Sequence, residues 1–296
     1  MSEATENQVF QLSCPVCKSP LNQQDNNLRC ANGHSFDAAR QGYWNLLLAN
    51  QKRSKDPGDN AAMVQARRTF LALDYYAPLA NSVSQQVAHL LRGRSEAQAL
   101  DMGCGEGYYT HQMQQRLESD SIPIPLAGLD ISKHAVKAAC RLNKSILWIV
   151  ASGANIPVAD HSLDLVSVLF SRLMPEEFGR VIKPGGSLLV AYPGENHLIE
   201  LRELIYDDVR QSAFNPAEVL GDAFKITDKQ TVHYQFELSN QAEIQQLLAM
   251  TPHGWRITQT AKDKLSFQKT LSLTLDVQLV TFTRQDSQQP TGKADL

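Results

Sequence analysis

The chain has 296 residues, and at about 150 residues per domain it has room for one large or two modest domains. Lys and Arg number 28 against 31 Asp and Glu, a formal charge of −3, with 43 % hydrophobic and 20 % charged residues. This composition excludes a wholly disordered chain and a uniformly basic nucleic-acid coat, so any nucleic-acid contact must come from a local patch. No run approaches the roughly 18 apolar residues of a membrane span. Met1 to Gln11 is too polar for a secretion signal, and the expected location is the cytoplasm. In that reducing compartment, five cysteines point to thiolates or metal ligands more than to disulfides.

Three of the five cysteines come early, and with one histidine they follow the spacing C-x2-C-x12-C-x3-H at Cys14, Cys17, Cys30 and His34. Paired ligands two or three residues apart fold around zinc as tight turns. Pro15 stiffens the first turn, and Asn32-Gly33 supplies the second, where a positive φ costs little. Three sulfurs and one imidazole fill a tetrahedral shell, so a closed structural site is expected rather than an open catalytic one. So small a segment cannot bury enough core to fold without its metal. The run Gly42-Tyr43-Trp44-Asn45-Leu46-Leu47-Leu48 predicts a strand covering this module, with Tyr43 and Trp44 buried rather than stacking on bases.

A connecting segment follows from residue 49 to 75, with a turn at Asp56-Pro57-Gly58-Asp59 and a helical run from Ala61 to Leu73. Lys52, Arg53, Lys55, Arg67 and Arg68 stand against Asp56 and Asp59, so residues 52–68 carry +3 within a −3 chain. This concentrates positive potential beside the metal module, where a phosphate backbone can dock. Spacing alone leaves open whether Tyr75 and Tyr76 pack on a ligand.

The second signature is Ala97-Gln-Ala-Leu-Asp-Met-Gly-Cys-Gly-Glu-Gly-Tyr-Tyr109. A short strand ends at Asp101, a loop with Gly103, Gly105 and Gly107 follows, and a helix begins near Tyr108. Glycines let the backbone approach a ligand closely. The spacing is neither the dinucleotide fingerprint nor a phosphate loop, so a pyrophosphate reader is disfavoured. Asp-Met-Gly-Cys-Gly-Glu-Gly resembles motif I of the class I S-adenosylmethionine (SAM)-dependent methyltransferases.

Further strands are expected over Pro125–Asp130, Ile146–Val150, Leu163–Phe170 and Ser187–Tyr192. Asp130, at a strand end, suits the two ribose hydroxyls of an adenosyl group. Ser132 suits a cap on a helix from Lys133 to Leu142, and Ser152 to Pro157 suits the adenine edge. Asp101 either braces the loop or touches ligand. Cys104 and Cys140 read as packed core. His197 falls in a loop after the fifth strand, at the edge where open α/β sheets bind ligands. Thr270–Thr283 alternates as a half-buried strand at the sheet edge. Strands alternate with helices from 97 to about 210, a parallel doubly wound sheet.

The combination of Cys-Pro-Val-Cys and Cys-Ala-Asn-Gly-His, Gln-Gly-Tyr-Trp-Asn-Leu-Leu, Lys-Arg-Ser-Lys-Asp-Pro-Gly-Asp, Gln-Ala-Arg-Arg and Asp-Met-Gly-Cys-Gly-Glu-Gly-Tyr-Tyr-Thr resembles the RlmA family. These are bacterial 23S rRNA (guanine-N1)-methyltransferases. The likeness extends through Pro-Gly-Glu-Asn-His-Leu and Met250-Thr-Pro-His-Gly-Trp255, to about residue 284. It implies one zinc ion at Cys14, Cys17, Cys30 and His34. It implies SAM contacts at Tyr76, Gly105, Glu106 and His197, and a homodimer. Within the family the chain is most similar to the Gram-negative branch.

The expected fold is a class I SAM-dependent methyltransferase, a Rossmann-like doubly wound sheet, with a small N-terminal zinc-ribbon domain. The expected organisation is the ribbon over 1–48, a basic linker and helix over 49–80, the methyltransferase domain over 81–284 and a disordered tail over 285–296. The expected partner is a 23S rRNA hairpin, with no DNA and no membrane. A small-molecule methyltransferase with a purely structural ribbon is the runner-up. A silent binding protein is disfavoured by the intact glycine loop and Asp130. The residues assign no catalytic base.

Overall fold

The computed structural model describes residues 10–52, 54–209, 214–251, 254 and 257–286. Arg53, residues 252, 253 and 255 of the C-terminal motif, and residues 287–296 of the expected tail lie outside the described residues. Among the described residues, no helix is long and apolar enough to cross a membrane.

The chain opens with a three-stranded antiparallel ribbon, β1 (Asn22–Gln24), β2 (Asn27–Arg29) and β3 (Ser35–Asp37). Next comes β4 (Trp44–Asn45), which packs on the ribbon as expected, with Trp44 bridged to Ala38, and also serves the sheet. It pairs parallel with β7 (Leu147–Val150), Trp44 opposite Ile149, and forms an edge of the main sheet. Tyr43, Trp44 and Leu46 are all buried. Phe10, Leu12, Leu21, Leu28, Trp44 and Leu46 share one core with Leu100, Met102 and Leu129 of the sheet. The hydrophobic effect thus joins ribbon and sheet into a single packed body.

Helix α1 (Ala61–Leu71) starts where the Asn60 side chain accepts from the Met63 N–H, and α2 (Ala77–Leu91) follows with Pro78 in its first turn. The sheet then builds through β5 (Ala99–Met102), α3 (Tyr108–Ser119), β6 (Leu126–Asp130), α4 (Lys133–Leu142), β7, β8 (Leu163–Leu169), α5 (Pro175–Val181) and β9 (Ile182–Pro193). Helix α4 has the expected bounds. Ser132 caps it by accepting from the Ala135 N–H, and its alanine-rich face is buried. All seven residues of β8 are buried, as suits a strand covered on both faces.

The chain ends with β10 (Phe224–Leu238) and β11 (Leu271–Arg284), giving the strand order β10-β11-β9-β8-β5-β6-β7-β4. The expected edge strand at 270–283 is therefore corrected. β11 is antiparallel but interior, between β9 and β10, and almost wholly buried. Sequence reading missed β10, whose exposed Lys225, Asp228 and Lys229 hide the strand pattern and guard the true edge. Because β5 pairs with both β6 and β8, strand order reverses at β5. Ligands bind at such a switch point, beyond the strands' C-terminal ends.

Candidate functional site

Two sites take shape, the metal cluster of the ribbon and the cleft above β5. In the ribbon, Cys14 O accepts from the Lys18 N–H, and Cys30 O accepts from the Gly33 N–H. These turns bring the ligand atoms of Cys14, Cys17, Cys30 and His34 within 4.8 Å of one another. Cys17 Sγ lies 3.7 Å from Cys30 Sγ, and His34 Nδ1 lies 3.4 Å from Cys30 Sγ and 3.6 Å from Cys14 Sγ. Around a tetrahedral zinc with bonds of about 2.3 Å, sulfurs stand roughly 3.8 Å apart, so the cluster fits the ion. Hydrogen bonds from Ser19 and then Asn32 bring the Cys17 thiol down to about 5, into the thiolate form that a cation binds. All four expected ligands meet.

In the cleft, Asp101 is buried beneath the glycine loop. Its carboxylate accepts from Thr110 Oγ1 at 2.6 Å and Ser167 Oγ at 2.7 Å. Burial pushes it up to about 6. The sequence left this residue undecided; the geometry makes it a brace. Gly103 and Gly107 have φ of +78° and +86°. A Cβ on Gly103 would stand 2.7 Å from Ser171 Cβ, and one on Gly107 would stand 2.6 Å from the buried Trp148 ring. The Cys104 thiol is pushed well up by burial and stays protonated, as expected of a packed residue.

Asp130 stands at the end of β6. It accepts from the Gly105 N–H at 2.9 Å and the Ser132 N–H at 2.7 Å, which leaves further acceptor capacity on both oxygens. Burial raises its pKa. Glu106 is buried and likewise raised, and its Oε2 has no hydrogen-bond partner. The nearest charge is Arg67 Nη1 at 3.5 Å, which also binds Asp59 at 2.5 Å. Arg67, expected on the phosphate-docking stretch, is thus ion-paired over the glycine loop. Neighbouring helix positions lie about 100° apart, so Arg68 points to solvent while Arg67 turns over the loop. The Asp56–Asp59 turn leans on the same place: Ser132 Oγ donates to Asp59 O at 2.6 Å.

On the other side of the cleft, the buried Tyr76 ring meets His197 edge-on at 6.5 Å between centroids. Burial pushes the Tyr76 phenol up, so it stays neutral. His197 Nδ1 accepts from the Asp276 N–H at 3.3 Å. Phe170 stacks on the same imidazole at 6.2 Å and 28°. The expected strand over Leu163–Phe170 includes this residue, with no place in the cleft assigned to it. Its place at the C-terminal end of β8 was the available signal.

The glycine cradle, the wall of Tyr76 and His197, and a buried carboxylate beside an arginine fit an adenosyl amino acid. A zwitterionic head calls for one anion and one cation, and Glu106 and Arg67 are one of each.

The chain matches the family described as "RlmA, N-terminal" over residues 12–55 and the family described as "Methyltransferase domain" over residues 94–249. The 23S rRNA (guanine(748)-N(1))-methyltransferase of Streptomyces fradiae is 31 % identical over 255 residues, covering 84 % of this chain and 88 % of that protein. The chain belongs to the RlmA family of 23S rRNA (guanine-N1)-methyltransferases. A Micromonospora griseorubida member, named as a candidate enzyme of the same kind, is 33 % identical over 82 % of this chain and 86 % of its own. A similarly named Bacillus subtilis member is 29 % identical over 90 % and 95 %. RlmA membership joins the two sites: the ribbon carries a structural zinc and the cleft serves a SAM-dependent methyltransferase.

Proposed function

We propose that the protein transfers a methyl group from SAM to N1 of one guanine in a hairpin loop of 23S rRNA. What carries this reading is the extent of the match. A relative named as a 23S rRNA guanine-N1 methyltransferase aligns over 84 % of the chain. SAM supplies an electrophilic methyl on a sulfonium, so the protein's task is to hold donor and acceptor close and in line.

In this reading Gly103 and Gly105 let the backbone approach the cofactor, and the spare lone pairs of Asp130 take the ribose hydroxyls. Glu106 takes the α-ammonium and Arg67 the α-carboxylate. Tyr76 and His197 wall the methionine side. Guanine N1 carries a proton at neutral pH, so attack is coupled to its loss. A hairpin loop is where a base leaves its stack at least cost.

For the RNA backbone, Lys52, Lys55 and Lys133 line a 530 Å³ cavity beside Ile131, at the end of β6. Arg68 is exposed on α1. These cations form the proposed phosphate path from residues 1–48 and 49–80 to the 81–284 unit. The reading includes a homodimer, which sedimentation in solution tests.

The main test maps N1-methylguanine in 23S rRNA from cells lacking the protein. Methylation at N1 blocks Watson–Crick pairing and stops reverse transcription, so one stop should vanish. Retention of every stop, with methylation of a metabolite by the purified enzyme, would favour the small-molecule reading.

A further inference from the structure

Eight described non-glycine residues have left-handed φ, and six of them are polar residues of the kind that turns accept. The other two, Phe170 (φ +54°) and Leu198 (φ +51°), are apolar, and both adjoin His197, one in space and one in sequence. Phe170 directly follows β8, and Leu198 follows His197, on whose ring Phe170 stacks. Strained backbone persists only where its surroundings over-determine it. Here they do. The Phe170 N–H donates to Ala191 O at 2.9 Å, and the Leu198 N–H donates to Thr274 O at 2.8 Å. The Asn196 N–H donates to the buried Asp276 carboxylate at 3.0 Å.

At Leu198 the strain accompanies full burial, but at Phe170 it does not serve burial. Phe170 remains 42 % exposed, although a hydrophobic side chain at the end of a wholly buried strand would ordinarily turn inward. Its ring lies 6.3 Å from Tyr109, on the helix that follows the glycine loop, and Ser171 beside it covers Gly103. The ring therefore stands at the mouth of the cofactor cleft. It also stands on a definite side of it. Asp130, the ribose acid of the reading above, ends β6 on one flank of β5, whereas Phe170 directly follows β8 on the opposite flank. The adenosyl half of the cofactor is drawn to the β6 and β7 side, which leaves the β8 side for the methyl acceptor.

We propose that Phe170, held outward by its left-handed backbone and backed by His197, is the platform on which the target guanine stacks after leaving its RNA loop. The inference rests on the reading of a guanine acceptor given above. An unstacked base must regain a π-face partner, and an aromatic side chain supplies one without hydrogen-bond demands. The hydrogen bonds around Asp276 fix the ring's aim before RNA arrives, which limits the ordering cost of binding.

The test uses the full-length zinc-loaded enzyme, an rRNA hairpin and SAM. Glycine adopts φ +54° without strain, so Phe170→Gly removes the ring while easing the backbone. We expect unchanged SAM affinity by calorimetry, an unchanged or higher Tm, and kcat/KM for the hairpin lowered roughly 5- to 150-fold. Phe170→Tyr should restore the rate, and Phe170→Leu, apolar but without a π-face, should not. A Phe170→Gly or Phe170→Leu enzyme at the wild-type rate overturns the platform. A loss of SAM affinity overturns it too, since the ring would then serve the cofactor. If the wild type leaves the hairpin unmethylated, the guanine reading itself falls and takes this inference with it. An active wild type beside an equally active variant defeats the platform alone.

Discussion

The metal cluster and the cofactor cleft are built in opposite ways. All four ligands of the cluster lie within residues 14–34, and two local turns bring them together. The cleft gathers Arg67, Tyr76, the loop at 103–107, Asp130, Phe170 and His197, which only the strand order makes neighbours. A local site is specified by spacing. A distributed site is specified by the core that sets strand register, so it is sensitive to changes far from any ligand.

Removing zinc tests that contrast most severely. Structural zinc contributes on the order of 10 kcal/mol to such modules. Phe10, Leu12 and Trp44 belong to the common core, so a strong chelator or Cys17→Ser should lower Tm in one cooperative transition. Two separate transitions in calorimetry would mean that the ribbon melts by itself and the shared core does not couple the regions.

Next in size is Asp101. Its folded pKa is raised from 3.8 to about 6, so the protonated form is favoured on folding. The contribution is full below about 3.8 and is lost as pH rises through 6, a swing of roughly 3 kcal/mol. The stability difference between wild type and Asp101→Asn, followed by denaturant titration, should therefore shift against the wild type across that interval. A pH-independent difference would show that Asp101 is not the buried titrating brace described here.

Gly107→Ala should cost about 1–3 kcal/mol, since a Cβ at φ +86° would press on Trp148, and it should weaken SAM binding with stability. Arg67→Ala should weaken SAM about 10- to 100-fold by calorimetry, the scale of a lost charged hydrogen bond. Unchanged SAM affinity with weaker RNA binding would return Arg67 to the phosphate path. The smallest effect is expected from Lys52→Ala, Lys55→Ala and Arg68→Ala together. RNA affinity should fall with a salt slope shallower by about 2–3, and SAM binding should not change.

How much could be read in advance follows the same division. Cys14, Cys17, Cys30 and His34 were legible because turn chemistry and ligand type coincide in one short segment. The glycine loop, Asp130 and α4 were legible for the same local reason. That Arg67 pairs with Asp59 and Glu106 was not legible, because charge along the chain does not say which way a helix turns it. Phe170 was missed because it ends an apolar run, and nothing local distinguishes a strand's last buried residue from its first exposed one. The segment at 270–283 is expected at an edge because alternation suggests half-burial, whereas β10 covers it.

The sequence alone thus determined the ligands of the metal, the presence of a glycine-lined cofactor cradle and the alternation that makes a doubly wound sheet. Each depends on residues a few positions apart, whose chemistry acts over the length of a turn. Tertiary structure decided that the ribbon lends a strand to the sheet and that Arg67 faces Glu106. It also decided that Phe170 and His197 stack across the cleft from Asp130. Those relations depend on which strands pair in a packed core, a collective outcome that no short stretch of chain encodes.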